Sequence, residues 1–207
     1  GVIETASWRQ HADAILLAWQ GGQEGGNAVA DILFGDVNPS GKLPITFPRS
    51  VGQIPLYYAH KNTGRPPSGD GRYASAYIDE HWTPLYPFGF GLSYTSFRYS
   101  TPRLSAQRLA STQSLDVTVT VTNTGARSGE EIVQLYLRDD VASVTRPVRQ
   151  LRGFRKVHLA PGEARDLTFT LDQEDFALLD SDFSPVVEAG TFTVFVGADS
   201  TTENHAR

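Results

Sequence analysis

Glu24 sits in the stretch Trp19–Ala30, WQGGQEGGNAVA, with a glycine pair on either side, an apolar run before it and a helical pattern after it. Three arrangements put bare backbone around a carboxylate: a phosphate cradle, a sugar site with a catalytic acid, and a tight strand-to-helix turn. The cradle fails on sequence. The cluster lacks the Gly-Lys-Ser/Thr ending of a P-loop, Ser40-Gly41-Lys42 follows the helical pattern, and the spacing misses a dinucleotide fingerprint. Read functionally, Glu24 is a carboxylate at the C-terminal end of a parallel strand, where α/β domains hold ligands. Read locally, it is a helix-start residue that bonds nearby backbone and is favoured by the positive end of the dipole. The local reading needs no ligand and is our expectation, with the glycines permitting a sharp turn.

A second group is aromatic. Arg72, Tyr73, Tyr77, Asp79 and Trp82 are residue types that sugar sites use: ring faces beside charged groups that hydrogen-bond hydroxyls. The competing expectation is that they pack against another domain or a neighbouring subunit, since exposed aromatics are common at protein contacts. Glu24, Arg72, Tyr73 and Trp82 are the candidate substrate-binding residues. His60, Asp79, Glu80 and His81 offer metal ligands, but their spacing matches no standard site, so no metal is expected. Arg146, Arg149, Arg152 and Arg155 recur every third residue. That period does not align on one strand face, so we read them as solvated or carboxylate-paired charges, with Asp139 and Asp140 as nearby partners, and not as a polyanion patch.

These residues need elements to position them. Ala12–Trp19, ADAILLAW, reads as a buried strand. Asn27–Phe34 reads as a helix with Ala28/Ile32 and Val29/Leu33 on one apolar face and Gly35 as its C-cap. Leu43–Phe47 reads as a short edge strand, because Pro44 bars a central one. From Pro48 to Thr95 no period survives, and six glycines and six prolines mix with many aromatics. Those aromatics need something to pack against, so this is not a disordered linker by composition.

From Phe97 the period is 2. Leu115, Val117, Val119 and Val121 alternate with polar residues, as do Leu167, Phe169 and Leu171, and Phe192, Val194 and Val196. Glu131–Leu137 reads as another strand, and turn signals separate them at Asn123, Ala160 and Glu188. Short strands and regular turns over this length indicate an antiparallel sandwich of immunoglobulin or fibronectin type III kind. The first half offers one helix and two strands, too little to cover a buried parallel strand on both faces. The expected fold is therefore an α/β fragment, the end of an α/β sandwich domain, over residues 1–50. A Gly/Pro/aromatic connecting loop follows over 51–96, and an all-β fibronectin type III-like sandwich over 97–207.

The charge pattern excludes some functions. Residues 1–96 carry six Lys/Arg and eight Asp/Glu, and 97–207 carry twelve and fifteen. Neither half has the basic excess that favours nucleic acid or an anionic membrane. The longest apolar run, Ala14–Trp19, is too short to span a bilayer. The chain has no cysteine, hence no disulfide and no thiolate chemistry.

Several stretches in order, AILLAW, GQEGGNAVADILFGDVNPSGKLPITFPRS, NTGRPP, PLYPFGFGLSYTSF, VTNTGARSGEEIVQLYL and RPVRQLRGFRKVHLAPGEARDLTFTL, resemble the C-terminal part of family 3 glycoside hydrolases, bacterial β-glucosidases above all. Gly21 departs from the pattern, where proline is usual. The resemblance implies a TIM-like barrel upstream, then the α/β domain, then the fibronectin-like domain. It implies retaining hydrolysis of terminal β-linked glucose by two carboxylates, without cofactor. It puts the nucleophile in the barrel and the acid/base earlier in the α/β domain. No position here matches either motif, so no catalytic residue is expected in this chain and it is expected to be inactive alone. The implied partners are a β-glucoside or oligosaccharide, the barrel domain and a second copy of the chain, and the implied location is periplasmic or secreted. A stand-alone carbohydrate- or partner-binding β-sandwich module is the alternative.

Overall fold

The computed structural model describes residues 2–67 and 73–207. Among these, the strands all lie from Phe97 onward: β1 (Phe97–Tyr99), β2 (Arg103–Leu104), β3 (Leu115–Asn123), β4 (Gly129–Asp139), β5 (Gln150–Leu159), β6 (Ala164–Leu171), β7 (Leu178–Leu179), β8 (Pro185–Val186), β9 (Phe192–Gly197) and β10 (His205–Ala206). The α-helices are α1 (Gly25–Phe34) and the single turn α2 (Gln173–Phe176), with short 3-10 turns at Arg9–His11 and Val51–Gln53. One four-stranded sheet places β3 between β1, β2 and β6; the other runs β10-β9-β4-β5; β7 and β8 form a separate hairpin. All pairings are antiparallel.

The period-2 pattern explains the sandwich. Val117, Val119 and Val121 of β3 point inward and are fully buried against Val133 and Leu135 of β4, Leu171 of β6 and Val196 of β9. The outward positions of β3 pair across the strand with β6. Thr120 donates to Asp166 at 2.6 Å, Thr170 to Asp116 at 2.7 Å, and Thr118 meets Thr168 at 2.9 Å. Such cross-strand pairs fix register as well as adding to stability. At the Asn123 turn the buried side-chain amide donates to the Arg127 and Leu159 carbonyls at 2.8 and 3.0 Å, closing the strand end.

The β4–β5 pairing slips by one residue. Leu135 faces Gly153 while Tyr136 faces Leu151, so Arg152 is the extra residue of a β-bulge.

The first half departs from expectation. Ala12–Trp19 forms no strand; Ile15, Leu16 and Trp19 are exposed. A lone extended segment needs a neighbouring strand for its backbone N–H and C=O groups, and among the described residues none pairs with it; only the Ala12 N–H is bonded, to the Arg9 carbonyl of the preceding turn. Leu43–Phe47 contributes one bridge, Phe47 to Tyr86, and no strand. The helix forms over Gly25–Phe34 and ends at left-handed Gly35, whose N–H reaches the Ile32 carbonyl at 3.1 Å. Its apolar face is nevertheless only partly covered: no residue of α1 is buried, Val29 and Ile32 are half-buried, and Leu33 and Phe34 are 66% and 84% exposed.

The glycine cluster forms a turn, with the Gly25 N–H bonded to the Gly22 carbonyl at 3.0 Å, but without left-handed glycines. Gly21, Gly22, Gly25 and Gly26 all avoid positive φ, and the left-handed residue is Trp19, at φ 50°. A Cβ added at Gly22, Gly25 or Gly26 would meet nothing within 4 Å. The bare backbone of these three faces open space, while a Cβ at Gly21 would come within 3.2 Å of the Gly25 Cα.

Candidate functional site

The loop between α1 and β1 is irregular yet fastened at many points. Asn38, in the turn after α1, donates to the Ser128 carbonyl at 2.9 Å and accepts from the Ser93 hydroxyl and the Tyr94 N–H at 2.9 and 2.8 Å. Lys42 then reaches into the sandwich. Its ammonium donates to Glu131 Oε1 at 3.2 Å and to the Gly91 carbonyl at 3.1 Å. Both partners are shielded, with the Lys42 and Glu131 side chains 11% and 4% exposed. The Tyr99 hydroxyl donates to the same carboxylate oxygen at 2.6 Å. Burial pushes the Tyr99 phenol far above its usual range, and the Glu131 charge adds to the shift.

The outer face of β4 carries the next anchors. Gln134 donates to the Gly89 and Ala198 carbonyls at 3.1 and 2.5 Å, and its own carbonyl accepts from the Tyr136 hydroxyl at 2.5 Å. Gly89 sits at φ 81°, where an L side chain is strained, and a Cβ there would run into the Gln134 amide. Tyr58 stacks on Phe88 at 4.3 Å, meets Tyr136 edge-on at 5.9 Å, and accepts the Leu151 N–H at 3.2 Å beside the bulge. His60 and Lys61 continue the contact against Pro147 and Val148. Within the loop, buried Gln53 accepts the Arg49 N–H at 2.6 Å and donates to the His81 carbonyl at 2.7 Å, while Arg49 donates to the Thr83 carbonyl at 2.9 Å.

With its two ends held, the loop presents aromatics from its middle. Tyr73 is 90% exposed, at φ 57°, and Tyr57, Tyr77 and Ile78 are exposed too. Trp82 is half-buried and stacks on His81 at 5.8 Å. Arg72 lies outside the described residues. Glu24 is the N-cap residue of α1 but makes no capping bond to backbone; its carboxylate accepts from the Asn27 side chain at 2.5 Å. The expected bond to nearby backbone is absent, because the Glu24 backbone is not in the extended conformation that a capping side chain needs (φ −90°, ψ 9°). Among the described residues no hydrogen bond or ring contact joins Glu24, Tyr73 and Trp82. No three of His, Asp and Glu among them gather as a metal site, and His81 Nδ1 pairs with the Thr83 hydroxyl at 2.7 Å.

All four spaced arginines make contacts within the fold, with Arg152 donating to Gln150 at 3.2 Å and facing the Asp175 carboxylate. Arg149 lies over the Phe195 ring at 4.2 Å and donates to the Thr202 carbonyl at 2.8 Å. Arg155 lies over Phe169 at 5.7 Å, and Arg146 donates to Gln150 and the Ala177 carbonyl at 3.2 and 3.3 Å. Of the expected carboxylate partners, Asp140 pairs with Arg138 and Arg207 instead.

Lys42, Gln53, Glu131 and Gln134, which carry the loop's attachment with Tyr58, were not singled out by sequence reasoning; Tyr58 was among the loop aromatics expected to need a packing partner. Of those not singled out, Glu131 alone left a signal: it shares the inward parity of Val133, Leu135 and Leu137, where a charge needs a buried partner.

Comparison with known proteins places this architecture. Residues 1–94 match the family described as the glycosyl hydrolase family 3 C-terminal domain, and residues 131–200 match the fibronectin type III-like domain. A periplasmic beta-glucosidase of Salmonella typhimurium is 53% identical over 193 residues, covering 92% of this chain and 25% of that protein. A beta-xylosidase of Formosa agariphila is 47% identical over 92% of this chain and 26% of its own length. The solved beta-glucosidase of Listeria innocua in complex with glucose superposes with a TM-score of 0.95 at 41% identity, covering 99% of this chain and 29% of that one. The chain belongs to glycoside hydrolase family 3, to its C-terminal part, and spans about a quarter of the length of the curated relatives it matches.

Proposed function

We propose that this chain is the C-terminal portion of a retaining β-glucosidase that hydrolyses terminal non-reducing β-D-glucosyl residues. The observation that carries this is the fold match over 99% of the chain to a β-glucosidase solved with glucose. The unfinished first half supports it. The partly open face of α1, the unpaired Ala12–Trp19 segment and the bare glycine backbone are what an α/β layer shows when its other layers belong elsewhere in the protein.

In this reading the catalytic carboxylates and the barrel lie upstream, and residues 97–207 hold the aromatic loop in position. We divide the chain at residues 50 and 96, with the anchored loop between. Arg72, Tyr73 and Trp82 lie toward the sugar or toward a second copy of the chain, and Glu24 steadies the start of α1. The buried Lys42–Glu131 link ties the first half to the sandwich, which favours this reading over a free-standing binding module.

The test is turnover of aryl β-glucoside. The purified chain is expected to show none, and co-folding it with the barrel and upstream α/β segments of a relative is expected to restore it. Turnover by the chain alone, abolished by a substitution within residues 1–207, would overturn the reading.

A further inference from the structure

A cavity of about 400 Å³ lies between β5 and the β7–β8 hairpin. Arg146, Gln150, Arg152 and Glu174 line it on the polar side, and Leu178 and Pro185 on the apolar side. Its two guanidinium groups share one neutral acceptor: Arg146 and Arg152 each donate to Gln150 Oε1 at 3.2 Å. The Nε atom of each is buried without a hydrogen-bond partner among the described residues.

Asp175 Oδ1 stands 3.9 Å from Arg152 Nε, a long ion pair beyond hydrogen-bond reach, while Asp175 Oδ2 accepts the Asp172 N–H at 2.9 Å. Asp139 feels Arg146 from the other side, with its carboxyl pushed up by burial. Burial also pulls the Arg152 guanidinium down, with Arg146 adding to the shift against the pull of Asp175. Arg152 is the extra residue of the β-bulge, a device that re-aims one side chain out of a regular strand. Two planar forks beside each other with spare donors suit an oxyanion, which takes two parallel N–H bonds from each arginine.

We propose that this cavity binds a small organic anion, a carboxylate or phosphate carried on an apolar body, between Arg146 and Arg152 with the body against Leu178 and Pro185. The site is independent of the glycosidase reading. Glu174 on its wall opposes the anion and sets its affinity.

The experiment follows the arginine Nε–Hε resonances of the ¹⁵N-labelled chain while it is titrated at constant ionic strength. The probes are benzoate, phenyl phosphate, acetate and benzyl alcohol. Saturable shifts confined to Arg146 and Arg152, with half-saturation below about 1 mM for benzoate or phenyl phosphate and weaker binding of acetate, are expected. Whichever of benzoate and phenyl phosphate binds more tightly identifies the head group. Arg152→Lys keeps the charge but loses the fork, and is expected to weaken binding about tenfold. Glu174→Gln, at an exposed position, is expected to tighten it about threefold. Shifts linear in concentration, equal shifts with benzyl alcohol, or binding indifferent to both substitutions would overturn the proposal.

Discussion

Lys42→Met tests how the two halves of the chain are joined. Lys42 and Glu131 lie 3.2 Å apart with little solvent around either, so the substitution leaves a shielded carboxylate with, among the described residues, only the Tyr99 hydroxyl to satisfy it. Removing one partner of a buried pair costs about 3–5 kcal/mol. Tyr99 still donates at 2.6 Å and some solvent reaches the lysine, so we predict the low end, about 3 kcal/mol. With a urea dependence of about 2 kcal/mol per molar, the midpoint falls by about 1.5 M. The three tryptophans, Trp8, Trp19 and Trp82, all precede the sandwich. Fluorescence therefore reports the first half, and far-UV circular dichroism weights the strands. The fluorescence midpoint is expected to move further than the dichroism midpoint. Lys42→Met/Glu131→Gln is expected to recover at least about 1 kcal/mol of the loss, because the neutral amide accepts from Tyr99 without a buried charge. A cost below about 1 kcal/mol for Lys42→Met, or no recovery in the double variant, would refute the view that this pair fastens the halves.

Other expectations are quickly checked. Gly89→Ala forces an L residue to positive φ against the buried Gln134 amide and should cost about 2 kcal/mol in chemical denaturation. Tyr99 stays protonated in the folded state at a pH where the unfolded chain ionises it. Its contribution is therefore complete below about pH 10 and lost as pH rises, at about 1.4 kcal/mol per pH unit. Tyr99→Phe should flatten that part of the alkaline stability profile, as followed by unfolding at stepped pH. In an assembled enzyme, Glu24→Gln should change kcat/KM by well under tenfold, since an exposed contact at a helix start is worth about 0.3–1 kcal/mol; a hundredfold loss would place Glu24 in acid–base catalysis.

The sandwich was legible because its rule is local. Leu115 to Val121 must put every second side chain on one face, and the same rule set Leu167–Leu171 and Phe192–Val196. Helix α1 and its Gly35 cap were legible for the same reason. The resemblance of long stretches such as GQEGGNAVADILFG pointed to the family without any fold.

Where a residue's state depends on a distant neighbour, sequence alone was not enough. Ala12–Trp19 has the composition of a buried strand, but a strand exists only when another pairs with it. Glu24 sits at a helix start, yet the backbone it adopts turns its carboxylate to Asn27 and not to the capping N–H groups. The Lys42–Glu131–Tyr99 cluster joins residues up to 89 positions apart. Periodicity along the chain thus determined which faces are apolar, while the tertiary structure alone decided which polar groups are buried and paired. A buried charge is stable only beside its partner, and that partner is chosen by the approach of two segments in space, which no local pattern records.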